Sequence, residues 1–298
     1  MQGCCLFWES TEGVRVETIW RALEKIIGEK IPKLAKKLPR FVFRYLKKIL
    51  HQDDINGLLA RTEGVSGLPF VSEAMNEFKT TVNAVGLDHI EKDGRYVIAA
   101  NHPIGGLDGI ALIDTVGKVK PDVITPVNDF LLFVPNLRPL FIPVNKLGSN
   151  ADNIKILNDT FAGDRTICYY PFGLCSRKQN GKIIDLEWKK TFIAKAKASH
   201  RDIIPTHISG RNSNFFYNFS NLRKKLGIKA NIEMLFLVNE FYKQKNQTLT
   251  ITFGKPIPWQ TFDKRHTDAE WAMKLRNFAY NLPNDCEQTF DPEKNYTI

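Results

Sequence analysis

The stretch Arg95-Tyr96-Val97-Ile98-Ala99-Ala100-Asn101-His102-Pro103-Ile104-Gly105-Gly106-Leu107-Asp108-Gly109-Ile110-Ala111-Leu112-Ile113 decides the fold class. Tyr96 to Ala100 is a short, unbroken apolar run of strand character, and the segment from Leu107 to Ile113 opens a buried helix. A histidine and a carboxylate therefore sit on a strand-to-helix turn with two glycines between them. Glycine places no Cβ in the way and accepts unusual backbone angles, so such a turn can approach a substrate closely. A neutral imidazole held by a carboxylate can take a proton from an attacking hydroxyl, as general-base acyl transfer requires. One His near one Asp in a glycine-rich turn is also a common structural feature, so the weight falls on segments further along the chain.

From residue 95 onward strands and helices alternate. Strand-like runs are Tyr96–Ala100, Val123–Thr125, Leu140–Val144, Thr166–Tyr170, Asp202–Ile208 and Leu249–Phe253. Helix-like runs lie near Leu107–Gly117, Asn150–Phe161, Leu186–Ser199, Ile232–Lys243 and Asp268–Asn281, the last introduced by the capping-box sequence Thr267-Asp268-Ala269-Glu270. The pattern predicts an α/β fold with a largely parallel or mixed sheet flanked by helices. In open sheets ligands gather at the carboxyl ends of strands, which puts the His102 turn, the Lys146 region and the Gly173 turn along one edge.

Composition supports a globular protein: of 298 residues, 43% are hydrophobic and 25% charged. The five cysteines are an odd, scattered set without a preceding signal pattern, which favours reduced thiols in the cytoplasm. The net charge is +10, and between Arg15 and His51 eleven Lys or Arg stand against three Glu, so this short stretch holds most of the imbalance. Val16, Ile19, Trp20, Leu23, Ile26 and Ile27 recur at helical spacing, as do Leu34, Leu38, Val42, Tyr45, Leu46 and Ile49, with Pro32 and Pro39 as breaks. Apolar stripes backed by lysines and arginines suit short helices lying in a lipid headgroup layer; the alternative is a helical cap with a solvated basic face. We therefore divide the chain into a basic helical membrane-association segment, 1–74, and an α/β domain, 75–298. With no run of 18 apolar residues, a spanning helix is not expected.

Three further segments come directly after predicted strands. Leu140 to Lys146 ends on an Asn145-Lys146 pair. Tyr170-Pro171-Phe172-Gly173-Leu174-Cys175-Ser176-Arg177-Lys178 is a Pro/Gly turn opening onto a hydroxyl and two cations. Ile203-Ile204-Pro205-Thr206-His207-Ile208 is a buried strand carrying a proline. In this order, with the His102 turn first, the four segments resemble the blocks of the glycerophospholipid (PlsC-type) acyltransferase family over about residues 75–260, most like its bacterial lyso-lipid O-acyltransferase branch. Two departures stand out. The family usually has four residues between His and Asp, whereas Pro103 to Leu107 are five, and Phe172 stands where the family has a glutamate associated with the acceptor's polar head.

The resemblance implies transfer of a fatty acyl group from an acyl thioester, on acyl carrier protein or coenzyme A, to the hydroxyl of a lysolipid. His102 is then the base and Asp108 its orienting partner. Asn101, Gly105, Gly106, Lys146, Gly173, Ser176 and Arg177 become substrate contacts, with amides at Gly105–Gly106 or near Gly173 facing the oxyanion. Lys146 and Arg177 would meet an anionic headgroup or the carrier's phosphopantetheine. Loss of the glutamate tilts the acceptor from a lysophosphatidate-like lipid towards a lyso-aminolipid. The reaction needs no cofactor or metal, and His207 reads as a structural strand residue rather than a ligand. A peripheral position on the cytoplasmic face of the inner membrane is implied, with membrane lipid as partner. A non-catalytic lipid-binding protein of the same fold is the rival reading. Nucleic acid ranks last, because no basic module interleaved with aromatics is present. Ser209 to Tyr217 reads as a polar turn entering an aromatic cluster, either a docking surface or, with Arg223–Lys225, a solvated basic helix.

Overall fold

A computed structural model describes residues 40–127, 134–143, 150–229 and 231–298. The expected helices between Val16 and Leu38, Cys4, Cys5 and the Asn145-Lys146 pair lie outside them. The chain divides into two units, Met1–Glu63 and Gly64–Ile298. In the first, helix α1 (Arg40–Ile49) starts directly after Pro39 and is followed by α2 (Gln52–Arg61). On α1, Phe41, Arg44, Tyr45, Lys47 and Lys48 are exposed, whereas Leu46 and Ile49 are buried.

The second unit begins with α3 (Leu68–Phe78), β1 (Thr81–Val85), β2 (Tyr96–Ala100), α4 (Leu107–Gly117), β3 (Thr125–Val127) and β4 (Phe141–Pro143). Next come α5 (Asn150–Ala162), β5 (Ile167–Tyr169), β6 (Arg177–Gln179), β7 (Lys182–Ile184) and α6 (Thr191–Ala198). It ends with β8 (Asp202–Ile208), α7 (Asn214–Lys225), a 3-10 turn (Ile232–Phe236) running into α8 (Leu237–Tyr242), β9 (Thr248–Phe253) and α9 (Asp268–Asn281).

The central sheet has the order β1-β9-β8-β2-β5. Its neighbours are parallel except β8 and β9, which run antiparallel, so the expected largely parallel α/β sheet is present. Every residue of β2 is buried, which explains why its sequence shows no polar alternation. Val97, Ala99, Ile167 and Ile203 join a core with Phe161, Trp188 and Phe192, and with Trp271, Leu275 and Phe278 of α9. The capping box forms: Thr267 N–H donates to Glu270 Oε2 at 2.7 Å, and Glu270 N–H donates to Thr267 Oγ1 at 3.3 Å. A proline inside a strand flanked on both sides is unusual. Pro205 is tolerated because its C=O accepts from Gly254 N–H at 2.8 Å, so its missing donor faces the gap between Phe253 and the Ile203–Ile257 bridge.

Three expectations shift. Residues 186–190 are not helical; α6 starts at Thr191, because Trp188 is buried and donates Nε1–H to Asp185 at 3.0 Å in an extended segment. Ile232–Phe236 is 3-10 rather than α-helical. The polar turn from Ser209 ends sooner than the sequence suggests, because Ser213 Oγ caps α7 by accepting from Phe216 N–H at 3.3 Å.

Candidate active site

Strands β2, β5 and β8 run parallel, so the turns leaving their carboxyl ends converge on one edge. The His102 turn leaves β2, Tyr170 follows β5, and Ser209 follows β8. Asn101 ties two of these turns together: its side-chain amide donates to Ile208 C=O at 3.0 Å and accepts from Ile208 N–H at 2.6 Å. A side chain thereby continues the β2–β8 ladder one step beyond the strand.

Across the glycines, His102 Nδ1–H donates to Asp108 Oδ2 at 3.0 Å. Because an ionised carboxylate only accepts, this contact leaves Nε2 as the basic nitrogen. The His102 side chain keeps 18% of its surface exposed while that of Asp108 has none. Asp108 is held by the turn it closes: Ile104 N–H donates to Oδ2 at 3.0 Å, and the amides of Gly105, Gly106 and Gly109 donate to Oδ1 at 3.0, 2.9 and 3.0 Å. The longer His–Asp spacing thus still closes the pair. Gly105 bends the chain at φ 90°, and a Cβ there would stand 2.9 Å from Cys175 Cβ and 3.2 Å from Leu237 Cδ2.

Charge follows geometry. Burial pushes the Asp108 carboxyl up, but the His102 charge and the hydrogen bonds from His102, Ile104 and Gly106 bring it net below its ordinary value. Burial pushes His102 down, and Asp108 more than reverses this, with a further contribution from Asp185, so the imidazole is net more basic than usual.

Asp185 carries no sequence motif, and only the structure reveals it. Its buried carboxylate accepts from Ser176 Oγ–H at 2.6 Å, Trp188 Nε1–H at 3.0 Å and His102 N–H at 3.4 Å. Ser176 N–H in turn donates to His102 C=O at 2.7 Å. Tyr170 lies beside the base, with ring centroids 4.2 Å apart and planes 31° apart. Its buried hydroxyl has no hydrogen-bond partner among the described residues, and burial holds its pKa well above the ordinary phenol value, so it remains a donor.

Several expected substrate contacts are committed within the protein instead. Asn101 and Ser176 are buried, the first holding Ile208 and the second holding Asp185 and the His102 carbonyl. Arg177 is 3% exposed and pairs with buried Glu233 at 3.2 Å, because Glu233 also bonds Arg223 and Ser220 and bridges β6 to α7. Arg223 is likewise buried and is not a solvated cation. The Gly105 and Gly106 amides donate to Asp108, and Gly173 N–H donates to Tyr170 C=O at 3.0 Å. Gly173 itself is exposed. Phe172 is a core residue beside Ile142 and Leu157, with no polar role. On β8, burial lowers His207 to about 4 and its ring meets Tyr280 edge-on at 5.4 Å, as expected of a neutral structural histidine.

A basic imidazole oriented by a buried carboxylate at the carboxyl edge of an α/β sheet is an arrangement that can activate a hydroxyl for group transfer. The chain matches the acyltransferase family over residues 25–287 and belongs to it; it is an acyltransferase. Lyso-glycine lipid O-acyltransferases of Bacteroides thetaiotaomicron and Phocaeicola vulgatus are each 46% identical to it over 262 residues, covering 87% of this chain and 96% and 94% of theirs. Among solved structures, the 1-acyl-sn-glycerophosphate (LPA) acyltransferase PlsC of Thermotoga maritima superposes with a TM-score of 0.47 at 12% identity, over 92% of this chain and 97% of that one.

Proposed function

We propose that the enzyme moves a fatty acyl group from an acyl thioester, on acyl carrier protein or coenzyme A, to the hydroxyl of a lyso-glycine lipid. The chemistry rests on one observation above all, the closed His102–Asp108 pair with its carboxylate buried under four amides. The acceptor rests on the two relatives named for it and on Phe172, which leaves no carboxylate where the PlsC-type pattern has one.

His102 Nε2 takes the proton of the acceptor hydroxyl as its oxygen attacks the thioester carbonyl. Asp108 keeps the imidazole in the required tautomer and stabilises its charged form. The Tyr170 hydroxyl donates to the oxygen of the tetrahedral intermediate, a contact worth ~3 kcal/mol in comparable sites. Collapse forms the ester and expels the thiolate, which takes the proton back from His102. Asn101, Ser176 and Asp185 position the turn and do not touch the substrate. The enzyme works as a peripheral protein at the cytoplasmic face of the inner membrane; among the described residues no helix is long and apolar enough to cross a membrane.

The test offers purified enzyme an acyl thioester with either lyso-glycine lipid or lysophosphatidate in detergent. A kcat/KM at least about tenfold higher for lyso-glycine lipid is expected. Equal or reversed preference would contradict the acceptor assignment while leaving acyl transfer intact.

A further inference from the structure

Away from the catalytic turn, the described surface concentrates its apolar groups on α7 and the residues just after its end. Four of the nine large hydrophobic side chains that stand exposed lie between Phe215 and Ile228: Phe215 at 50%, Leu222 at 52%, Leu226 at 65% and Ile228 at 40%. At 3.6 residues per turn, Phe215, Phe219, Leu222 and Leu226 fall within an arc of about 60°. Phe215 and Phe219 stack with centroids 5.8 Å apart, and Phe236 meets them edge-on at 5.1 and 5.5 Å. The stripe cannot turn inward, because the packed face of the helix is already filled by Phe216, Tyr217, Ser220 and Arg223, the last tied to Glu233 at 2.7 Å.

Charge identifies the partner. From Ser209 to Ile232 the chain carries Arg211, Arg223, Lys224, Lys225 and Lys229 and no acidic residue. All of these except Arg223 are exposed. A packed aromatic and leucine stripe flanked by cations matches a headgroup–acyl boundary carrying negative charge. The helix also starts beside the chemistry, since Asn212 Nδ2–H donates to Ile104 C=O at 3.0 Å.

We propose that α7 docks on the surface of an anionic bilayer, its apolar stripe set among the headgroups and Lys224, Lys225 and Lys229 on their charges, so that a lysolipid reaches His102 without leaving the membrane. This rests on the lysolipid reading of the active site, and it places the contact within the catalytic unit rather than only in the basic N-terminal segment.

The experiment measures hydrogen–deuterium exchange of the full-length enzyme with vesicles of phosphatidylcholine, with and without phosphatidylglycerol. Exchange across residues 214–229 should slow several-fold on anionic vesicles and stay unchanged on neutral ones. A Phe215→Ser, Leu222→Ser, Leu226→Ser variant should lose about tenfold in anionic-vesicle affinity, yet acylate detergent-dispersed lysolipid within about twofold of the parent. Vesicle binding with no slowing at 214–229 would overturn the proposal. So would slowing produced by acyl carrier protein or by raised enzyme concentration in the absence of lipid. Failure of the parent enzyme to acylate in detergent would count against the acyl-transfer reading and leave the exchange result to judge the surface separately.

Discussion

At Asp108, burial raises the carboxyl, and the His102 charge together with the hydrogen bonds from His102, Ile104 and Gly106 outweighs it. The consequence for His102 is a pKa raised above its ordinary 6.5. A base must be neutral to act, so kcat/KM should fall as pH drops through that raised value, placing the acid limb above 6.5. In Asp108→Asn the larger raising charge is gone and only the smaller Asp185 contribution opposes burial, so the limb should move to lower pH while turnover falls about 10²–10⁴-fold. An unmoved limb in a pH–rate profile would contradict the pairing. Tyr170 makes a second prediction. A buried hydroxyl without a partner costs roughly 1–3 kcal/mol in the free enzyme, so Tyr170→Phe should leave Tm unchanged or raised. The same change should lower kcat by about 10²-fold if the phenol serves the oxyanion. A stable variant with full kcat would remove that role. His102 and Asp108 were legible in the sequence because motif and chemistry coincide there. Asp185 was not, since a lone aspartate after a short strand announces nothing, and only folding brings it under the His102 amide.

Among the elements, the catalytic turn depends on one glycine. Gly105 sits at φ 90° with Cys175 and Leu237 against it, so Gly105→Ala meets backbone strain and a clash together. The cost of about 1–3 kcal/mol should lower Tm by roughly 2–8 °C in a melting experiment and reduce kcat, since the amides that hold Asp108 move with the turn. An unchanged Tm would mean the turn relaxes freely. Elements with a strong period or an unbroken apolar run were readable: β2, α4, β8 and α9 lie where the sequence places them. Strand β1 was not, because its half-exposed residues, Thr81 and Asn83 among them, lack both signals. The β6–β7 hairpin went unread although Asn180-Gly181, at φ 49° and 81°, is a strong two-residue turn signal. Helix α7 was obscured by its asparagines, which read as loop until Ser213 is seen to cap it.

For the whole molecule, the order of the four blocks proved more informative than any single residue within them. Block order specifies which strand ends meet, and the sheet brings the His102, Tyr170 and Ser209 turns to one edge. Residue roles within the blocks were less legible, because a polar residue at a strand end can face substrate or brace a neighbouring strand. Asn101, Ser176 and Arg177 all brace. Net charge misled in a similar way, since Arg177 and Arg223 are part of the +10 yet are buried against one carboxylate. The central claim is that His102 is the proton acceptor for an acyl transfer. The direct measurement is turnover of purified His102→Ala with an acyl thioester and lyso-glycine lipid, alongside a circular dichroism spectrum confirming the fold. Turnover at least about 10²-fold below the parent, with an unchanged spectrum, is the result predicted; turnover within a few-fold of the parent would contradict it.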